Sequence, residues 1–140
     1  MSETQQAEVV DEGAPTPDVV EVDALLTHDL NHVWQVLSTN AGIAAFLGEG
    51  AALGNKGEHW RAVDGTHGVW RSYHPMEQVR LSWHAGEDAP RSMVDLHLAA
   101  EGERTRVSIR HDNIGPELDP EQLHTRWTDA LARIDQAAGD

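Results

Sequence analysis

The run Gly68-Val69-Trp70-Arg71-Ser72-Tyr73-His74-Pro75-Met76-Glu77-Gln78-Val79-Arg80-Leu81-Ser82-Trp83 decides the fold. Val69 to Tyr73 reads as a strand, and His74-Pro75 must close it, because proline has no N–H to give a central ladder. Beyond that turn Val79, Leu81 and Trp83 share one parity, while Arg80, Ser82 and His84 take the other. Such alternation describes a strand with one buried face and one wet face. In the first strand the parity is undecided between the pair Arg71/Tyr73 and the pair Trp70/Ser72, since a bulge could reverse it.

The same texture extends both ways. Downstream, after the loop Ala85–Pro90, Val94, Leu96 and Leu98 alternate with Met93, Asp95 and His97. A turn at Glu101-Gly102-Glu103 leads to Thr105, Val107, Ile109 and His111, which alternate with Arg104, Arg106, Ser108 and Arg110. Upstream, His59 to Val63 is a strand that follows the Gly54–Gly57 turn and ends at the hairpin signal Asp64-Gly65. Val20, Val22, Ala24 and Leu26 mark a first strand over 18–27. A helix begins at the cap Asp29 with the apolar stripe Val33, Trp34, Leu37. Ser38-Thr39-Asn40 breaks it, and a second helix, Ala41–Leu47, presents Ile43, Phe46 and Leu47.

After Gly115-Pro116, Asp119 caps a last helix with Pro120 at its first position and Glu121 in its first turn. Leu123, Trp127, Ala130, Leu131 and Ile134 form a single stripe, and Gly139 ends it. The order is strand, two short helices, about six strands, long helix, with no internal repeat. An antiparallel sheet with one buried face needs a cover, and only the last helix, about 30 Å long for ~20 residues, is large enough. The class is α+β: a curved antiparallel sheet wrapped around a long C-terminal helix.

At 140 residues the chain suits one domain over 18–140, preceded by an acidic tail. Residues 1–17 are rich in Gln, Glu, Ser and Thr, and read as a disordered extension. The formal charge is -14, which counts against nucleic acid and anionic membranes. With no cysteine, disulfides and thiolate chemistry are excluded. No basic and apolar leader and no run of ~20 apolar residues is visible, so a cytoplasmic protein without a membrane span is expected.

The marks also resemble a family. Val33-Trp34 in the first helix, Gly68 and Trp83 fifteen positions apart around His74-Pro75-Met76, Ser82-Trp83, the strand Thr105 to His111 and Arg126-Trp127 resemble the START-like (SRPBCC) superfamily. Within it they are most similar to bacterial proteins related to the activator of heat-shock protein 90 ATPase. The departures are Phe46 for a usual Trp, one proline fewer at the turn, and Arg126 for glycine. The resemblance implies a helix-grip fold and a cavity that takes hydrophobic ligands such as lipids, polyketides or aromatic metabolites. It also admits a chaperone-cofactor or other protein-interaction role, and a cyclase or dehydratase-like activity.

For the site, parity turns Trp60, Trp83 and Trp127 inward, either as aromatic pocket walls or as core. His111 shares the inward parity of Val107 and Ile109, so it is an anchor for a ligand oxygen, an acid–base group, or a structural imidazole with a loop carbonyl. Tyr73 is a hydroxyl candidate inside the pocket, and Leu131 belongs to the facing helix stripe. A ligand would enter between the long helix and the loops at 85–90 and 113–116. Trp34 reads as core. His28 and His32 are four apart, yet no third ligand or HExxH pattern accompanies them, so no metal and no cofactor is expected. His59, His67, His74, His84, His97 and His124 read as scattered and mostly exposed. No nucleophile elbow, phosphate loop or dinucleotide fingerprint occurs, so no catalytic residue is named. The expected partner is a small hydrophobic molecule, with a protein partner as the alternative, and the expected state a monomer or weak dimer.

Overall fold

Alternation along the chain becomes a sheet whose inward rows run unbroken from strand to strand. The computed structural model describes residues 19–139, so the tail expected over 1–17 lies outside the described residues. Strand β1 (Val19–Leu26) is followed by helices α1 (Leu30–Leu37) and α2 (Asn40–Leu47). Strands β2 (His59–Arg61), β3 (His67–His74), β4 (Gln78–Trp83), β5 (Ser92–Glu101) and β6 (Arg104–Asp112) come next, and then the long helix α3 (Pro120–Gly139). Five strands follow the short helices rather than about six. Gly48, Gly50 and Gly57 hold positive φ, and the chain between α2 and β2 carries no regular element.

The six strands form one antiparallel sheet in the order β1-β6-β5-β4-β3-β2. One inward row reads Val20, His111, Val94, Leu81, Trp70, and the next Val22, Ile109, Leu96, Val79, Tyr73. The last member of each row settles the parity of β3. Trp70 faces Leu81 and Tyr73 faces Val79, with a register shift between Trp70 and Ser72. Three steps on β3 span two on β4, so this bulge brings both Trp70 and Tyr73 to the concave face and turns Arg71 out. Neither of the two pairs offered by simple parity survives.

Capping sets the short helices. The Asp29 carboxylate accepts from His32 N–H at 2.8 Å, and the Thr39 hydroxyl accepts from Gly42 N–H at 3.1 Å. Leu123, Trp127, Ala130, Leu131 and Ile134 of α3 are buried against the concave face and α2. Gly68 is needed at the sheet's far side: a Cβ there would lie 1.8 Å from the Ser82 carbonyl oxygen and 2.8 Å from Trp60 Nε1. Its absence lets the Trp60 indole cross the strand and donate to that same carbonyl at 3.2 Å. Trp34, expected as core, packs against the core from its edge. Val33 and Leu37 on its helix are buried, whereas Trp34 is only half-buried.

Candidate functional site

At one end of the concave face, Trp83 closes β4, Ser92 opens β5, His111 lies near the end of β6, and Trp127 descends from α3. All four side chains are buried. The His111 ring meets Trp83 and Trp127 edge-on, with centroids 4.8 and 5.7 Å away. Its two nitrogens are both engaged. An indole N–H only donates, so the Trp127 Nε1 contact at 3.1 Å makes His111 Nδ1 an acceptor. The proton therefore sits on Nε2, which donates to Ser92 Oγ at 2.7 Å, and Ser92 in turn donates to the Trp83 carbonyl at 3.0 Å.

This chain of donors answers what His111 can do. Burial, with the nearby Arg126 charge, pushes its pKa down to about 3, so the ring is neutral. A serine nucleophile would need His111 to accept its proton on Nε2, but that nitrogen already carries one. Ser92 and His111 form a closed structural relay rather than an activated dyad. Ser92 lies one residue before the alternating run Met93–Leu98 from which the strand is read, so the sequence pattern does not reach it.

The cleft lies just outside this relay. It has a volume of about 300 Å³ and opens beneath the first turns of α3. Trp83, Ala85, Leu118 and Leu123 supply its apolar wall, and Asp64, Glu117, Asp119 and Arg126 its charges. Arg126 is the residue the sequence reading passed over as a family departure. Its guanidinium lies 5.3 Å from the Trp83 ring centroid and 5.6 Å from that of Trp127. Arg126 donates to the Leu47 carbonyl at 3.2 Å and to Asp64 at 3.1 Å. Partial burial raises the Asp64 pKa, but hydrogen bonds from Thr66 and Arg126 outweigh it and hold the carboxyl below its ordinary range. Among the described residues the buried indole N–H of Trp83 has no acceptor. A smaller cleft of about 90 Å³ adjoins through Ala85, Glu117 and Leu118, beside the loops at 85–90 and 113–116.

The remaining candidates separate. Trp60 is buried with its N–H bonded to Ser82, and Leu131 lies in the core of α3. Tyr73 is far along the sheet, in a second cleft with Trp34, where its hydroxyl donates to the Gly54 carbonyl at 2.7 Å. Burial, aided by the Glu58 charge and opposed by the Gly54 bond, pushes its pKa up to about 12. His28 and His32 sit 5.2 Å apart at the C-terminal end of α3, where a His32 ring nitrogen meets the Ala138 carbonyl at 2.6 Å. No group of three metal-ligating side chains occurs among the described residues. His59, His74, His97 and His124 are exposed, in line with the expectation that most of these histidines are, whereas the half-buried rings of His67 and His84 stack at 4.7 Å and bond the carbonyls of Gly86 and Ala89.

The convex face offers little to an apolar partner. Its central row alternates in charge, Glu21, Arg110, Asp95, Arg80, from strand to strand. The large exposed apolar side chains, Leu25, Leu53 and Val63, lie on separate elements. No described helix is long and apolar enough to cross a membrane.

The family model described as activator of Hsp90 ATPase homolog 1-like protein matches residues 27–139. No curated protein matches the chain. Among solved structures, DynU16, a protein of the dynemicin biosynthetic locus, superposes with a TM-score of 0.74 at 21% identity, over 85% of this chain and 46% of DynU16. The chain thus spans less than half of DynU16. CalU16 from Micromonospora echinospora gives 0.71 at 17% identity, over 86% of this chain and 75% of that one. The Aha1 dimer of Colwellia psychrerythraea gives 0.70 at 17% identity, over 86% and 95%. Identities this low speak for the fold alone.

Proposed function

Because the chain belongs to the activator of Hsp90 ATPase homolog 1-like family and has its START-like helix-grip fold, we propose that it binds a small, flat, uncharged hydrophobic molecule. The ligand belongs to the lipids, polyketides or aromatic metabolites, and the site is the cleft beneath the first turns of α3. The observation that carries this reading is Trp83: a buried wall of the cleft whose indole N–H has no acceptor within the described protein. That nitrogen is itself closed off from solvent, as is the unpaired Trp70 indole, so a ligand carbonyl or ether oxygen recovers the cost of the unsatisfied donor, about 1–3 kcal/mol, only by displacing the wall around it. The guanidinium plane of Arg126 adds a second stacking surface beside it. Charge argues against an anionic ligand, since Asp64, Glu117 and Asp119 outnumber Arg126 around the cleft. The same reading has the protein act in the cytoplasm as a monomer or weak dimer, without catalysing a reaction.

Native mass spectrometry of the protein purified from its own source tests this directly, and a retained small molecule is expected. Tryptophan fluorescence titration against aromatic and lipid libraries then gives its affinity. Trp83→Phe keeps the ring and deletes the donor, so it should weaken binding by about tenfold. No retained molecule and no saturable titration would end the proposal.

A further inference from the structure

We propose that the second cleft, between α1 and the end of β3, binds an organic cation: an ammonium group carried on an apolar or aromatic body. This site is independent of the cleft beneath α3. Its volume is about 370 Å³. Trp34, Leu37, Leu53 and Tyr73 wall it, and Glu58 is the single charged side chain in its lining.

Each wall has a reason to favour a cation. Trp34 and Tyr73, both half-buried in the lining, carry negative π-faces, which attract ammonium groups. Trp70 stacks behind Tyr73 with centroids 5.5 Å apart, and the bond from Tyr73 to the Gly54 carbonyl fixes the ring. The Glu58 carboxylate is held in place by Asn55 N–H at 2.7 Å, which leaves acceptor capacity for a ligand. Leu37 and Ser38 bring the C-terminal end of α1, the negative end of its dipole, to the same cleft. Lys56, two residues from Glu58, is exposed and outside the lining, and among the described residues no cationic side chain pairs with the Glu58 carboxylate. Leu53, 39% exposed, leaves an apolar rim for the ligand's body.

The test uses the full chain and NMR amide shifts, with benzyltrimethylammonium as probe, benzyl alcohol as the uncharged control and phenylacetate as the anionic control. The cation should shift amides around Trp34, Asn55 and Tyr73, bind about tenfold or more tighter than benzyl alcohol, and weaken with added salt. Phenylacetate should not bind. Glu58→Gln keeps an oxygen for Asn55 N–H, so the fold should persist while cation affinity falls about tenfold. Arg126→Ala, in the other cleft, should leave that affinity unchanged. Equal affinity for benzyl alcohol, an unaltered cation affinity in Glu58→Gln, or shifts clustered at Trp83 instead would overturn the proposal.

Discussion

His111 is the residue on which the interior turns. Its ring is neutral because burial withholds water from the charged form and the nearby Arg126 charge repels it, while Trp127 donates to the nitrogen that a second proton would need. An unfolded imidazole titrates near 6.5, the folded one near 3. Between these values the unfolded chain binds a proton that the folded chain refuses. Stability from this group is therefore complete above pH 6.5 and falls by about 1.4 kcal/mol per pH unit as the solution is acidified toward pH 3. His111→Gln should lower stability at pH 7 and flatten this acid limb. Thermal melts from pH 7 to pH 4 check it, and an unaltered slope would refute the buried-neutral assignment.

Among the elements, the short helices owe their placement to caps and the sheet its shape to one bulge. Helix α2 is eight residues long, too short to persist without tertiary packing, and Thr39 satisfies one of its free N–H groups. Thr39→Ala should cost about 1 kcal/mol, read as an earlier denaturant midpoint with the m-value unchanged. The caps Asp29 and Asp119, whose carboxylates accept from His32 N–H and from Glu121 N–H at 3.0 Å, were legible in the sequence, because their chemistry depends on neighbours three residues away or fewer. The bulge in β3 was not. A strand's parity reads the same with or without an extra residue until its partner strand is known.

At the scale of the molecule, stability should be graded across the sheet. Strands β5 and β6 have ladder partners on both sides, whereas β1 lies at one edge and the three-residue β2 at the other. Hydrogen exchange followed by NMR should find the slowest amides in Ser92–Glu101 and Arg104–Asp112, and fast ones in His59–Arg61. If His59–Arg61 exchanges as slowly as β5, this hierarchy is wrong. The alternating charges of the convex face keep that side wet and soluble, consistent with the acidic composition.

By itself the sequence determined the class, the order of elements, the helix stripe and the inward residues of the strands other than β3, because these follow from periods of two and 3.6 and from local caps. Trp83 and Trp127, both expected to point inward, meet edge-on with centroids 6.2 Å apart. Only the tertiary structure decided what the inward polar groups do. It paired His111 with Ser92 across strands, set Arg126 against Asp64 from sixty-two positions away, and sent Tyr73 to a different cleft. Those outcomes depend on register and long-range packing, where one residue more or less moves a side chain to the other face.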